Sequence, residues 1–156
     1  PITIRDLIKT ALRMRPNRVI VGECRGAEAL DVLQAMNTGH DGSLSTGHAN
    51  SCKDMLSRLE TMVLMGMELP LPAIRSQIAS GIDFLIHLGR MRDKSRKVLS
   101  ITEIAGYEEN QIILNDIYRF KEEKAEENTV HGAMEKVGEL IHTEKMIRAG
   151  YCLDGL

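Results

Sequence analysis

A carboxylate and a guanidinium follow the end of a short apolar segment. Residues Arg18 to Val21 form a largely β-branched run, which predicts a strand buried on both faces. Glu23 and Arg25 come directly after it, two residues apart, so on an extended path they point to one side. Ligands of open α/β sheets bind outside the carboxyl ends of the strands. There a carboxylate can orient water or a metal-bound nucleotide, and a guanidinium can bind phosphate oxygens. An ordinary ion pair at the strand end is the alternative.

A hydroxyl and an imidazole stand two residues apart in a second polar segment. Thr46 and His48 lie near the end of a predicted strand over residues 42–48, so they share a face. Side chains of these types form hydrogen bonds with phosphate or with an adjacent carboxylate. A purely structural role for His48 stays open at this point. His40 lies in a loop and is a weaker candidate.

Metal and thiol chemistry have little support in the sequence. The three cysteines, Cys24, Cys52 and Cys152, are widely spaced, and together with His40 and His48 they lack the short spacings of structural zinc sites. An odd number of cysteines is typical of a reducing compartment. A Cys24–His48 nucleophile pair remains a third interpretation. The sequence contains neither G-x-x-x-x-G-K-[ST] nor G-x-G-x-x-G, so it has no phosphate-cradling loop of its own.

Helical and strand periodicities alternate along most of the chain. They predict an α/β fold with a mostly parallel sheet flanked by helices and an antiparallel hairpin at its edge. Thr3 with Asp6, and Ser51 with Asp54, have the capping-box spacing at two helix starts. Helices are predicted from Ile4 until Pro16, over 28–36, from Cys52 to about Gly66 and over 72–81, and strands over 18–21, 42–48, 82–88, 98–104 and 112–120.

The end of the chain is predicted to lie outside this core. Residues 121–128 are rich in glutamate and indicate a solvated linker or an exposed helix. Residues 133–149 are weakly amphipathic and predict a helical appendage. We therefore expect one domain over residues 1–120, followed by a charged linker and helical C-terminal tail over residues 121–156.

Composition excludes several function classes. The 156 residues are 43% hydrophobic and 27% charged, values that are typical of a single globular domain. The net charge of −2 argues against nucleic-acid binding through bulk electrostatics. No stretch approaches the ~20 apolar residues of a membrane span. Because the chain starts at Pro1 without a methionine and runs at once into helical sequence, we expect it to be an excerpt of a longer polypeptide.

Two motifs, in the right order, resemble those of the type II/IV secretion ATPases. The segment Leu12–Gly26 is similar to that family's Walker B region, Leu-Arg-x-x-Pro-Asp followed by an apolar strand and Gly-Glu-x-Arg. The segment Thr38–Ser51 resembles its His box, and Gln34–Asn37 and Arg58–Glu60 resemble the CpaF-like (Tad pilus) branch. The likeness extends to about residue 120 and, more loosely, into the tail.

This resemblance implies the C-terminal half of a RecA-like P-loop NTPase motor domain. Such a protein is expected to hydrolyse ATP with Mg²⁺ and to power protein secretion or pilus assembly. It is expected to form a hexameric ring at the cytoplasmic face of the inner membrane. Its other partners would be secretion or pilus platform proteins, and it would associate with the membrane only through them.

The resemblance also implies roles for residues of the two motifs. Glu23 matches the Walker B glutamate that polarises the attacking water, directly or through Mg²⁺, and is the expected catalytic and metal-binding residue. His48 is expected to act in catalysis by sensing the γ-phosphate. Gly22, Arg25 and Thr46 are expected to contact the nucleotide. These roles suit phosphoryl transfer, which depends mainly on positioning and charge neutralisation.

The chain departs from the family pattern at three positions and lacks one motif. Asn17 replaces the usual aspartate, Gly47 replaces an apolar residue and should loosen its strand, and Cys24 is a mild replacement of an apolar residue. The Walker A loop is expected upstream of Pro1, so we expect the isolated segment to have negligible ATPase activity. The alternative function is a non-catalytic interaction module that packs into a ring on the same scaffold.

Overall fold

The computed structural model describes residues 1–125 and 128–153. They divide into two compact units. The first comprises Pro1–Ile82 with Tyr107–Ile112, and the second comprises Asp83–Gly106 with the described residues from Ile113 onward. Within the described ranges, no helix is both long and apolar enough to cross a lipid bilayer.

Helices form most of the first unit. They are α1 (Ile4–Arg13), α2 (Ala29–Asn37), α3 (Cys52–Gly66) and α4 (Leu71–Gly81). The predicted helix starts are confirmed. Thr3 and Asp6 form a reciprocal capping box at α1, and the Ser51 hydroxyl accepts a hydrogen bond from Asp54 N at 3.0 Å at α3. The first helix ends before Pro16, as predicted.

The apolar core of this unit lies between α2, α3 and α4. Leu33, Val63, Ile74 and Ile78 contribute the large, almost completely buried side chains. Their spacing on the three helices places them on the inward faces, which is where burial of apolar area stabilises a fold most.

Two short parallel strands alternate with the first three helices along the chain. They are β1 (Ile20–Val21) and β2 (Leu44–Ser45), with Ile20 opposite Leu44. Parallel pairing is confirmed, but both strands are shorter than predicted. Burial of the first strand on both faces is wrong, because Ile20 is 68% exposed. Leu44 on the second strand is also 60% exposed. In the described part of the chain this sheet has two strands.

The second unit is built on a four-stranded antiparallel sheet. Its strands are β3 (Phe84–Arg90), β4 (Arg96–Glu108), β5 (Gln111–Ala125) and β6 (Val130–Lys136), in that spatial order. The predicted α/β class, with parallel and antiparallel strands, is confirmed. The arrangement differs from the prediction, because the antiparallel strands form a sheet of their own instead of an edge hairpin on a mostly parallel sheet. Short sequence separations between consecutive strands favour this local pairing.

The turn between β4 and β5 belongs to the first unit. Glu109 and Asn110 have φ values of 47° and 62°, as tight hairpin turns require. The Arg75 guanidinium on α4 holds this turn, since Nη1 donates to the Asn110 carbonyl at 2.9 Å and Nε donates to Glu60 Oε1 on α3 at 2.7 Å.

The predicted linker and helical tail are wrong in their secondary structure. β5 continues into the charge run, β6 occupies the start of the predicted helix, and the later part has one short helix, α5 (Glu144–Arg148). Charged side chains are compatible with these strands because they pair across them, as between Lys121 Nζ and Glu135 Oε1 at 3.3 Å. The rest of the charge run, residues 126–127, and residues 154–156 lie outside the described residues.

Candidate functional site

The carboxyl ends of β1 and β2 lie side by side and carry the candidate residues. Beyond the strands, Cys24 N donates a hydrogen bond to the Thr46 carbonyl at 2.8 Å. The Thr46 hydroxyl donates to the Gly22 carbonyl at 2.5 Å. These two bonds continue the contact past the ends of the strands. The segments that follow β1 and β2 therefore leave the sheet at one edge, which is where α/β proteins place their ligands.

Glu23 is the centre of a three-residue cluster at this edge. Its Oε2 forms an ion pair with the Arg25 guanidinium, and its Oε1 lies 3.1 Å from His48 Nε2. The Glu23 side chain is 23% exposed, whereas Arg25 and His48 are 76% and 83% exposed. The structure thus brings together the acidic residue of the first motif and the imidazole of the second, which are 25 positions apart in the sequence.

The cluster keeps Glu23 ionised. The hydrogen bond from Arg25 holds the pKa of the Glu23 carboxyl below its ordinary value, against the opposing effect of desolvation, and the charges of Arg25 and His48 act in the same direction. Glu23 likewise raises the pKa of Arg25 through the same hydrogen bond. An ionised carboxylate can accept hydrogen bonds from water or bind a cation, but it cannot donate a proton.

The Thr46 side chain and the Gly22 backbone are hydrogen-bonded to each other. Because the Thr46 hydroxyl donates to the Gly22 carbonyl, its proton is not directed at a ligand in this arrangement. A Cβ atom at Gly22 would have no neighbour within 4 Å, so there is open space beside this backbone. Thr46 in this structure joins the two strand ends, and Gly22 leaves room next to Glu23.

Gly47, which departs from the family pattern, lies next to the end of the Met55 side chain. A Cβ at this position would lie 2.6 Å from the terminal methyl group of Met55 on α3. Residue 47 also follows the end of β2, outside the strand. The prediction that Gly47 loosens a strand therefore does not apply, because residue 47 is not in a strand of the described structure. A side chain at this position would have to displace the flexible end of Met55.

Cys24 has the properties of a core residue. Its side chain is 5% exposed, and burial, together with the nearby Glu28 charge, raises the pKa of the thiol to about 11. A nucleophilic cysteine needs a thiolate at neutral pH and a lowered pKa. These properties argue against the interpretation of Cys24 and His48 as a nucleophile pair.

His40 supports the turn after α2. Its Nδ1 lies 3.1 Å from the Ala35 carbonyl at the end of that helix. The Ser43 hydroxyl donates to the His40 carbonyl at 2.7 Å and accepts from Val19 N at 2.9 Å. These contacts connect the turn to the segment before β1. They give His40 a structural role, which agrees with its being the weaker candidate for the functional site.

Glu28 is a residue of the site that the sequence analysis missed. Its Oε1 accepts hydrogen bonds from Arg25 N at 2.7 Å and from Gly26 N at 3.1 Å. The side chain is buried, with 9% exposure. The sequence signal was a carboxylate three residues after Arg25 at the start of a helix, a position that sequence patterns normally assign to helix capping.

A divalent cation would find one carboxylate at this edge. Among the described residues, no group of three or more His, Cys, Asp or Glu side chains could hold a metal ion by itself. Mg²⁺ in nucleotide sites is commonly bound by one or two carboxylates together with phosphate oxygens and water. Glu23 can supply the carboxylate of such a site. The described side chains alone do not provide enough ligands for the cation.

The comparisons with known proteins agree on one family. The family model described as type II/IV secretion system protein matches residues 1–149. The conjugal transfer protein TrbB of Rhizobium radiobacter is 36% identical over 109 residues, which cover 70% of this chain and 32% of the relative. The type IV secretion system protein VirB11 of Brucella suis is 37% identical over 91 residues, which cover 56% of this chain and 25% of the relative.

A solved structure supports the same assignment. It is the crystal structure of the VirB11 ATPase from the Brucella suis type IV secretion system in complex with sulphate. Its TM-score is 0.62 at 33% sequence identity, over 66% of this chain and 32% of that chain. The chain thus spans about a quarter to a third of the length of these relatives.

Proposed function

The chain belongs to the type II/IV secretion system protein family, and we propose that it is the C-terminal half of a motor domain that hydrolyses ATP to drive protein secretion or pilus assembly. Within the family we assign it to the CpaF-like, Tad pilus branch, on the motif residues Gln34–Asn37 and Arg58–Glu60. The similarity to a solved VirB11 ATPase supports ATP as the substrate of the whole protein.

The observation that carries this proposal is the bridge from Arg25 through Glu23 to His48 at the carboxyl ends of two parallel strands. The bridge joins two sequence motifs into one partly exposed site with an ionised carboxylate and two side chains that can donate hydrogen bonds. This combination suits phosphoryl transfer, because catalysis rests on orienting the nucleophile and on neutralising phosphate charge.

Each residue of the bridge then has a role that its chemistry allows. Mg²⁺–ATP, when bound, supplies the phosphoryl group and a cation that neutralises part of its charge. Glu23 orients the attacking water or holds the cation. Arg25 donates hydrogen bonds to phosphate oxygens, and His48 senses the γ-phosphate from the neighbouring segment. Gly22 leaves room beside the nucleotide, and Thr46 contacts it once its hydroxyl leaves the Gly22 carbonyl.

The proposal extends to assembly and location. As in the sequence-based expectation, the whole protein forms a hexameric ring at the cytoplasmic face of the inner membrane and binds platform proteins of a secretion or pilus system. It meets the membrane through these partners and does not bind nucleic acid. The near-neutral charge of −2 supports the last point, because nucleic-acid binding needs a basic excess.

A second candidate is a non-catalytic module that packs into a ring. It is favoured by the departures of Asn17 and Gly47 from the family pattern. A G-x-x-x-x-G-K-[ST] motif upstream in the parent gene would decide for the motor. We propose that the 156-residue segment alone has negligible turnover, since it cannot cradle the phosphates.

The test is steady-state ATP hydrolysis and nucleotide binding by the parent protein. Glu23→Gln should lower kcat by on the order of 100-fold or more while the nucleotide affinity stays within a few-fold, because the residue acts on the reacting water. His48→Ala should also lower kcat more than affinity. Glu68→Gln, which alters an exposed carboxylate far along the chain from both motifs, is the matched control. Unchanged turnover in Glu23→Gln, or equal losses of kcat and affinity in His48→Ala, would contradict the proposal.

A further inference from the structure

The buried carboxylate of Glu28 lies directly before α2 but does not serve that helix. A side chain at this position normally accepts a hydrogen bond from the second or third amide of the helix. Glu28 makes no such capping bond. Its Oε1 instead accepts from Arg25 N at 2.7 Å and Gly26 N at 3.1 Å, both of which precede it in the chain. The side chain is therefore directed at the loop that follows β1.

The two amides that Glu28 binds are the peptide groups on either side of the Arg25 α-carbon. Fixing both of them fixes the direction in which the Arg25 side chain leaves the backbone. That side chain is 76% exposed, and its ion pair is with Glu23. With so little packing around it, the guanidinium depends on its backbone for its position.

The charge of Glu28 supports the same role. Burial disfavours the charged form, but hydrogen bonds from the backbone amides of Arg25, Glu28 and Gly26 outweigh it and keep the pKa of the carboxyl below its ordinary value. A buried carboxylate that is held in its ionised form by three amides is an anchor for the loop. Losing it would leave those amides without their acceptor.

We propose that Glu28 is a positioning residue, which holds the Arg25 backbone so that the guanidinium stays on Glu23 and keeps Glu23 aligned with His48. The inference rests on the proposed function, because it assigns Glu28 to the alignment of the same site. Glu28 itself does not touch substrate. Its effect reaches the reacting groups through Arg25.

The expected effect is selective for turnover. Displacement of reacting groups by about 1 Å is enough to lower rates by about 100-fold. Glu28→Ala in the parent protein should therefore lower kcat by about 10- to 100-fold and raise KM by a smaller factor, because Arg25 is only one of the groups proposed to contact the nucleotide. Glu28→Gln keeps a carbonyl oxygen as the acceptor and should retain most of the turnover.

A spectroscopic readout separates positioning from a general loss of stability. In this 156-residue chain, the ion pair with Glu23 should slow the exchange of the Arg25 guanidinium protons with water. NMR measures this exchange rate, and Arg25→Lys identifies the Arg25 signals. Glu28→Ala should raise the exchange rate close to that of a solvated arginine, and Glu28→Gln should leave it near the wild-type value. Asp31→Ala is the matched control, because Asp31 is a carboxylate of α2 with 4% exposure that binds Arg5 and not the loop.

The outcomes decide between the possibilities. Should Glu28→Ala not fold, Glu28→Asp takes its place, since it keeps the charge but withdraws the oxygen by one methylene, and it should perturb Arg25 where Glu28→Gln does not. Arg25 signals that are unchanged in the Ala and Asp variants, or perturbed equally by Asp31→Ala, would overturn the inference. Normal turnover in Glu23→Gln would sink the proposed function alone, because the Arg25 signals still report on Glu28.

Discussion

Replacing Glu103 by glutamine is expected to release the segment from Glu139 to His142, called the tail below, from the antiparallel sheet. Glu103 lies on β4 and is 2% exposed. Its carboxylate accepts hydrogen bonds from Ile141 N at 2.9 Å, from His142 N at 2.8 Å and from the Asn115 side-chain amide at 3.0 Å. The Asn115 amide also donates to the Glu139 carbonyl at 2.8 Å. One buried anion thus collects the donors that hold the tail in place.

The size of the effect follows from these bonds. Hydrogen bonds to a charged group contribute about 1.5–3 kcal/mol each, although such contributions do not add simply. Glutamine keeps one oxygen but directs an NH₂ group at amides that also donate. We therefore expect the local opening of the tail to become easier by about 2–4 kcal/mol. At 1.36 kcal/mol per tenfold change, amide exchange at residues 141 and 142 should accelerate by roughly 30- to 1000-fold.

The assay is amide hydrogen exchange on this chain at neutral pH. Thr102→Val is the matched control, because it removes a neighbouring buried hydrogen bond, from the Thr102 hydroxyl to Asp116 Oδ1 at 2.6 Å, that does not involve the tail. The control should leave the amides of Ile141 and His142 protected. Wild-type protection of both amides in Glu103→Gln would refute the reasoning.

The same contact predicts a dependence on pH. Burial opposes ionisation of Glu103, but hydrogen bonds from His142, Ile141 and Asn115 outweigh it and hold the pKa below the ordinary value of 4.5. The folded carboxyl thus binds its proton more weakly than the unfolded one. Its stabilisation is fully present above pH 4.5 and is lost as the pH falls through the lower pKa of the folded group. Acidification should release the tail of the wild type, and Glu103→Gln should lack this transition.

Two further changes test the thiol and the helical core. Because Cys24 is buried and its pKa is raised to about 11, alkylation with iodoacetamide at mildly alkaline pH should modify the exposed Cys152 well before Cys24, as peptide mass spectrometry would show, and Cys24→Val should keep the parent protein active. Rapid modification of Cys24 in the folded chain would contradict this. Ile74→Ala removes a side chain with 0% exposure and should lower the free energy of unfolding by about 2–5 kcal/mol, measured by urea denaturation. A loss below about 1 kcal/mol would mean that α4 does not complete the core.

Local patterns were sufficient to predict helices α1 to α4 and the approximate positions of the first five strands. The capping residues Thr3 and Ser51 mark the starts of α1 and α3 in the sequence and make the expected hydrogen bonds in the structure. Such bonds join groups three residues apart, so the signal and the contact lie within one turn of chain. In the structure Glu23 and His48 lie 3.1 Å apart, since the ends of two parallel strands share one edge of a sheet.

Charge misled the prediction for the end of the chain. The run that begins at Lys121 has the composition of a solvated linker, yet its first residues extend β5. Strand formation there depends on a partner in β6 and on pairs such as Lys121 with Glu135, which are 14 positions apart. A composition window has no information on such a partner.

The residue types at the candidate site, their order and the two strand segments that precede them are therefore readable from the amino-acid sequence, because each is a local property of the chain. Three features were decided only by the folded chain: the separate antiparallel sheet, the hold of Glu103 on the tail, and the direction of the Glu28 carboxylate toward the loop instead of its helix. The sheet depends on which strands pair in the folded chain. The roles of the two carboxylates depend on which donors lie nearest to them once they are buried. Burial sets the cost of leaving such a group unpaired, and burial exists only once the chain has folded.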